Sequence, residues 1–428
     1  MVFRILKYVL ATLAALVTLL VMSSCTMLGL NYASLETGNK PAPAPELTSR
    51  TIRAWLDERA ELQQQFQDIV YGPWPEGLAV SLVSRRVADD EFAGGMARLE
   101  EFRIRLGEGE AAEDFVLGLA VPKQVPPGGL GLVIGQTFSS NCGVFQSAEL
   151  NRVSGEPCAS TRIPWLVEYI FGEYIAKVPL ERYFEAGFAY ANYYGSDVVP
   201  DRVEAGRAAM ERLQAASETA APTGALMAWA YAYKAAIDVL ANEAWLDEDR
   251  IAVYGHSRHG KSALLGGIFD PRIDLVISHQ SGFGGAALSR STVGEGIGRV
   301  SDTYPHWFAP GFDVAAQDPE RLPVDQHQLL ALLAPKPVFL GNARRDVWSD
   351  PNSTFRAAAA AGEVYRLFGN RGLGSDSLTD YVPGAGVAYF LRPGGHGTDR
   401  RDMDAILAFL GAHVAPGEAR VSIETTSP

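Results

Sequence analysis

The stretch Ile251-Ala252-Val253-Tyr254-Gly255-His256-Ser257-Arg258-His259-Gly260-Lys261-Ser262-Ala263 constrains the fold more than any other. It opens on β-branched and aromatic residues, passes through a small polar turn and closes on helix formers, so it reads as strand, turn, helix. A serine at the tip of such a turn, between two glycines, is the layout of a nucleophile elbow, which holds the hydroxyl out above the end of a parallel sheet. The spacing is G-x-S-x-x-G, where G-x-S-x-G is commoner, so the pattern by itself leaves the assignment open.

The surrounding chain supplies the rest of such a sheet. Alternating segments at 101–106 and 115–121, joined by a turn at 107–114, predict an antiparallel hairpin. Apolar runs at 130–134, 188–193, 251–254, 275–277, 338–341 and 387–391 then alternate with helical stretches, the longest over 224–242. Another helix is expected over 353–361, stopped by Gly362, and a closing one over 402–410, stopped by Gly411. Near-continuous apolar strands separated by helices imply a mostly parallel sheet covered on both faces, a three-layer α/β sandwich of the α/β-hydrolase type. With 47% hydrophobic residues over 428 positions, the chain can bury so large a core as one unit.

The amino terminus reads as an export signal. Arg4 and Lys7 precede an apolar run over 8–22, shorter than the roughly 18 apolar residues of a spanning helix. Met22-Ser23-Ser24-Cys25 resembles a bacterial lipobox, whose cysteine becomes the lipidated first residue, so the expected location is the periplasm or, as a lipoprotein, the outer membrane. The expected order is a signal peptide over 1–24, a Pro/Ala-rich linker over 25–50, a catalytic domain over 51–415 and a tail over 416–428. Losing Arg4 and Lys7 with the leader takes two positive charges from the formal −13, leaving −15. That balance argues against nucleic acid as a partner. Cys142 and Cys158 are a possible pair in an oxidising compartment, or two buried thiols.

A serine hydroxyl needs a base within reach and a third group to orient the base. In this fold the chain order is Ser, acid, His, so of seven histidines only His396 and His413 follow late enough. His396 lies in the glycine-rich loop directly after the 387–391 strand, whereas His413 sits near the tail; His396 is therefore the expected base. Two aspartates, Asp346 and Asp350, follow the 338–341 strand. Asp350 precedes Pro351 at a helix start, the pattern of an N-cap, which leaves Asp346 as the expected acid. Arg258 follows the serine, where its backbone N–H and its charge can meet an oxyanion. Lys261, one turn into the same helix, reads either as part of that electropositive site or as a solvated surface lysine. No cluster has metal-ligand spacing, and no metal or cofactor is expected.

The segment Gly255–Ala263 resembles the G-C-S-R-x-G-K-x-A signature of glucuronoyl esterases, carbohydrate esterase family 15, which accounts for the displaced glycine. Tyr193-Tyr194-Gly195-Ser196-Asp197, the 281–290 segment Ser-Gly-Phe-Gly-Gly-Ala-Ala-Leu-Ser-Arg, Pro305-His306-Trp307-Phe308, Pro323-Val324-Asp325-Gln326-His327, Ala334-Pro335-Lys336-Pro337 and Asp346-Val347-Trp348-Ser349-Asp350-Pro351 match its bacterial branch. The resemblance implies hydrolysis of esters between (4-O-methyl-)glucuronic acid of xylan and lignin alcohols, with Ser257 as nucleophile and Arg258 as oxyanion stabiliser. It also implies Lys261 and Trp348 as uronate contacts, with Glu295 a further candidate, although Trp348 alone could be a packed anchor and Glu295 a solvated carboxylate. Two departures stand out. Fungal members carry their acid where this chain has Gln280, and the 135–141 loop differs from the family pattern. An acetylxylan or feruloyl esterase, or a glycan-binding lipoprotein without turnover, are the alternative functions.

Overall fold

A computed structural model describes residues 2–27, 44–151, 164–219 and 221–413. Among the described residues nine strands form one sheet in the order β1-β2-β3-β5-β4-β6-β7-β8-β9. They are β1 (Val80–Phe92), β2 (Ala97–Leu106), β3 (Glu113–Pro122), β4 (Leu130–Thr137), β5 (Phe188–Tyr194), β6 (Leu246–His256), β7 (Leu275–His279), β8 (Val338–Ala343) and β9 (Val387–Arg392). The first three run antiparallel, β3 pairs antiparallel with β5, and from β5 to β9 every pair is parallel. The architecture is the expected α/β-hydrolase sandwich.

Side-chain alternation explains why the parallel strands are apolar throughout. In β6, Ile251 and Val253 enter one core while Ala252 and Tyr254 enter the other; in β8, Val338 and Leu340 face one way and Phe339 the other. A strand buried on both faces has no polar side, because successive residues point to opposite layers. The first layer is built on the helices Ala225–Leu240, Arg258–Phe269 and Pro351–Leu367, the second on Arg400–His413 together with Leu180 and Tyr183.

Two glycines expected to stop helices do not. The helix Pro351–Leu367 runs through Gly362, where a Cβ would meet the backbone nitrogen of Leu373 at 3.1 Å; this glycine permits a close backbone approach and does not end the helix. The closing helix likewise spans Arg400–His413 and contains Gly411, which has open space around it and lies in the last turn, where its intrinsic cost is small. β1 was not expected at all. Its face is largely exposed and carries Arg85, Arg86, Asp89 and Asp90, and register shifts break its alternation at three places.

Cys142 is buried and disulfide-bonded, while Cys158 lies outside the described residues. Cys25 falls in the amino-terminal helix Val2–Met27, but its side chain lies outside the described residues, as do most of the expected linker and the whole tail. Residues 44–50 lie against the body: Leu47 is buried, Arg290 donates to the Ala44 carbonyl, and His327 Nε2 is 2.8 Å from the Pro45 carbonyl.

Candidate active site

Parallel register brings four strand ends to one edge of the sheet. His256 pairs with His279, His279 with Gly341, and Ala343 with Arg392, so the residues that follow β6, β7, β8 and β9 emerge side by side. In open α/β sheets this carboxyl edge is where ligands bind. Ser257 sits there between β6 and the helix Arg258–Phe269, with φ 58° and ψ −122°. A non-glycine residue at positive φ is strained, and strain of this kind collects at functional turns. The turn is held by the Ser257 N–H donating to the His279 carbonyl at 2.8 Å. Gly255 is obligatory, since a Cβ on it would lie 2.0 Å from the His259 carbonyl oxygen.

Ser257, Arg258, Lys261, Glu295, Trp348 and His396 all line one open cleft with an empty volume of about 560 Å³, together with Tyr304, Trp307 and the Gln280–Phe283 segment. His396 Nδ1 is 2.8 Å from Asp346 Oδ2, and the Asp346 side chain is almost wholly buried. Burial works to raise the Asp346 carboxyl, but the neighbouring His396 and hydrogen bonds from Ser349 outweigh it and hold the group below the usual carboxylate range. With Asp346 accepting at Nδ1, the His396 lone pair belongs to Nε2. Asp350 is occupied elsewhere. It caps the helix Pro351–Leu367 by accepting from the Ser353 N–H at 3.0 Å, and Ser291 donates to its other oxygen.

The cations of the cleft are fixed in different ways. Lys261 is buried and donates to the carbonyls of Ser281 and, at 2.7 Å, Phe283. Burial pushes its ammonium down to about 8, against the opposing pull of Glu295. Arg258 forms an ion pair with Asp201, and its guanidinium carbon lies 5.0 Å from the Trp307 ring centre, 5.3 Å from Phe138 and 5.6 Å from Tyr304. The 135–141 stretch read as a loop is strand up to Thr137, where β4 continues past the expected end at 134, and Phe138 just beyond it forms a wall against the arginine. Across the cleft, burial raises the Glu295 carboxyl, opposed by the Lys261 charge and a hydrogen bond from Trp348. Trp348 is 44% exposed, with the Arg299 guanidinium 4.8 Å from its ring centre. The half-exposed indole turns a flat ring toward the cleft it lines.

Several supporting residues carry no spacing signal in the sequence. Gln280, itself at φ 49°, accepts from the Gly397 N–H at 2.7 Å and donates to the Gly395 carbonyl at 3.4 Å, gripping the loop on both sides of His396. Arg392 reaches the carbonyls of Gly395 and Gly397 and pairs with Asp402 at 2.6 Å. Asp402 also holds His279 Nε2 at 3.0 Å, whose Nδ1 meets His256 Nδ1 at 2.8 Å. The His256 ring in turn leans on the His396 ring with centres 4.7 Å apart. Burial, reinforced by the neighbouring His396, His279 and Arg392, keeps His256 well below the usual imidazole range and therefore neutral. With His279 Nε2 donating to Asp402, a neutral His279 accepts at Nδ1 from the His256 Nδ1–H. Gly341 makes room for this chain, since a Cβ there would lie 2.2 Å from the His279 ring.

The family description "Glucuronyl esterase, fungi" matches residues 152–369. A carbohydrate esterase, MZ0003, from an unknown prokaryotic organism is 30% identical over 412 residues, covering 91% of this chain and 93% of that protein. The 4-O-methyl-glucuronoyl methylesterase of Hypocrea jecorina is 29% identical over 246 residues, which span 55% of this chain and 51% of that enzyme. Among solved structures, a promiscuous CE15 esterase from a marine bacterial metagenome superposes with a TM-score of 0.74 at 29% identity, over 89% of this chain and 99% of that one. A glucuronoyl esterase from Solibacter usitatus gives 0.71 at 26% identity, over 89% and 100%.

Proposed function

The chain belongs to the glucuronoyl esterases of carbohydrate esterase family 15, and from that premise we propose that Ser257, His396 and Asp346 carry its reaction. It is a serine carboxylic-ester hydrolase that cleaves esters of (4-O-methyl-)glucuronic acid. The observation that carries the assignment of residues is the His396–Asp346 contact of 2.8 Å in the cleft that also contains the strained Ser257 turn.

His396 Nε2 takes the Ser257 proton as Oγ bonds to the ester carbonyl carbon, and the carbonyl π pair moves onto oxygen. The resulting oxyanion sits beside the Arg258 guanidinium and the N–H groups at the start of the following helix. Collapse of this intermediate breaks the bond to the alcohol oxygen, which receives the proton from His396 and leaves. Water then repeats the sequence on the acyl-enzyme, losing its proton to His396, and Ser257 is regenerated with release of the uronic acid. Asp346 stays ionised throughout and stabilises the imidazolium.

Lys261, Glu295 and Trp348 form the uronate site in this reading: one ammonium proton left over from two carbonyl bonds, one carboxylate acceptor and one aromatic face. The substrate is the glucuronate ester that joins xylan to lignin alcohols. Among the described residues no helix is long and apolar enough to cross a membrane. We place the protein in the periplasm or on the outer membrane through a lipid on Cys25, following the export signal and the lipobox-like sequence.

Steady-state kinetics on a methyl glucuronate ester beside an aryl acetate test this reading. Wild-type enzyme is expected to favour the uronate, and Ser257→Ala to lose both activities. A preference for the acetate would point to the acetylxylan type, and no turnover with a correctly folded protein would leave a glycan binder.

A further inference from the structure

Asp201 lies in the loop that follows β5 and the short helix Gly195–Val198, two strands away from the serine turn in the sheet. Its two oxygens are fully engaged. Oδ2 takes Nη1 of Arg258, while Oδ1 accepts from Trp307 Nε1 at 2.7 Å and lies 2.9 Å from His306 Nε2. Its side chain is 16% exposed. Burial alone would raise its carboxyl, but the His306 hydrogen bond, the Arg258 charge and the Trp307 hydrogen bond reverse this and keep it ionised.

The partners of Asp201 are what make the contact informative. Trp307 and Tyr304 stack at 3.9 Å with an interplanar angle of 5° and both line the cleft, and Arg258 lies within 5.6 Å of each ring centre. A long arginine side chain at a cleft wall has many rotamers open to it, so a guanidinium aimed at a developing charge has to be immobilised beforehand. Aromatic faces favour a cation near them without directing its N–H groups, whereas a carboxylate on one terminal nitrogen adds a directional charge-assisted hydrogen bond. Arg258 Nε is buried and has no hydrogen-bond partner among the described residues, so the anchor uses one end of the fork and leaves another donor uncommitted. Pro305-His306-Trp307 then has a physical reason to be where it is: two consecutive ring N–H donors converge on the oxygen of Asp201 that the arginine does not use.

We propose that Asp201 is a positioning residue for catalysis, which, braced by His306 and Trp307, holds the Arg258 guanidinium in the orientation that stabilises the oxyanion. This rests on the role given to Arg258 above. His306 is buried and is not among the cleft-lining residues, so its route to the reaction runs through Asp201.

The test measures kcat and KM on a methyl glucuronate ester for Arg258→Met, Asp201→Asn and the double variant. Arg258→Met is expected to lose about 100-fold or more in kcat, the scale of a lost oxyanion donor, and Asp201→Asn about 10- to 100-fold with KM within about twofold. The double variant is expected to be no slower than Arg258→Met, because the aspartate acts only through the arginine. Normal kcat in Arg258→Met would remove the oxyanion role itself. A slow Arg258→Met beside a normal Asp201→Asn, or losses that multiply in the double variant, would overturn the positioning role and leave the oxyanion role standing. If Asp201→Asn does not fold, His306 decides: His306→Ala is expected to lower kcat and His306→Gln, whose amide can replace the Nε2 donor, to restore most of it. Unchanged kcat in His306→Ala, or a loss that glutamine does not relieve, counts against the proposal.

Discussion

Asp346→Asn is the most direct perturbation of the proposed triad. Asp346 meets His396 at 2.8 Å, and its own side chain is 2% exposed while the imidazole is 30% exposed. When His396 takes the serine proton, an imidazolium faces a buried carboxylate. At an effective dielectric of about 20, unit charges about 4 Å apart attract by about 4 kcal/mol. Asparagine removes that term but keeps the shape. At about 1.4 kcal/mol per factor of ten, kcat is expected to fall roughly a thousandfold. An asparagine N–H facing Nδ1 would also favour the tautomer whose Nε2 is already protonated, which adds to the loss. Asp350→Asn is the control: asparagine caps a helix nearly as well as aspartate, so activity should stay within about twofold. Initial rates on a methyl glucuronate ester, with circular dichroism to verify folding, separate the two. If Asp350→Asn abolishes turnover while Asp346→Asn stays within about tenfold of wild type, the reasoning is wrong.

The uronate site gives two further expectations. Burial holds Lys261 down to about 8, so it loses its proton as pH rises through that value. An ammonium has three donors and two are committed to Ser281 and Phe283, so deprotonation removes the one available to substrate; KM should rise above about pH 8 in a KM–pH profile, and Lys261→Met should abolish that rise. Trp348→Ala should raise KM for the glucuronate ester by about tenfold, the scale of losing one aromatic sugar contact, with little change on an aryl acetate; an equal loss on both esters would make Trp348 a loop anchor and not a sugar platform.

The legible and illegible parts of this protein differ in a physical way. β4 to β9 were visible because strands buried on both faces must be largely apolar, and the placement of Ser257, His396 and Asp346 at one edge of the sheet because each follows such a strand. β1 was not visible, since an exposed edge strand interrupted by bulges has neither a continuous nor an alternating apolar pattern. Gly362 misled because a glycine that admits a neighbouring backbone looks the same in sequence as one that ends a helix. Asp201 was invisible for another reason. It lies 57 residues from Arg258 and 105 from His306, and a polar contact made by folding leaves no local spacing behind. The only trace was the pair of adjacent ring donors, His306 and Trp307, which makes sense only once an acceptor is placed opposite.

In the proposed triad the acid follows β8, and Gln280 at the end of β7 serves the histidine loop instead. The loop that carries His396 is held from two sides: β8 leads to Asp346, and β7 leads to Gln280. The Arg344 and Arg345 N–H groups donate to the carbonyls of Arg392 and Gly394 at 2.8 Å, so the chain before Asp346 is zipped to the chain before His396 and delivers the carboxylate to Nδ1. The β7 end then needs no charge. What it meets is backbone, one N–H at Gly397 and one carbonyl at Gly395, and an amide supplies both the acceptor and the donor that these require. A carboxylate at position 280 could accept from Gly397 but would turn an acceptor toward the Gly395 oxygen. In the proposed triad the glutamine is therefore the residue type that suits this position, and the two strand ends divide the work, one holding the ring and the other the loop that bears it.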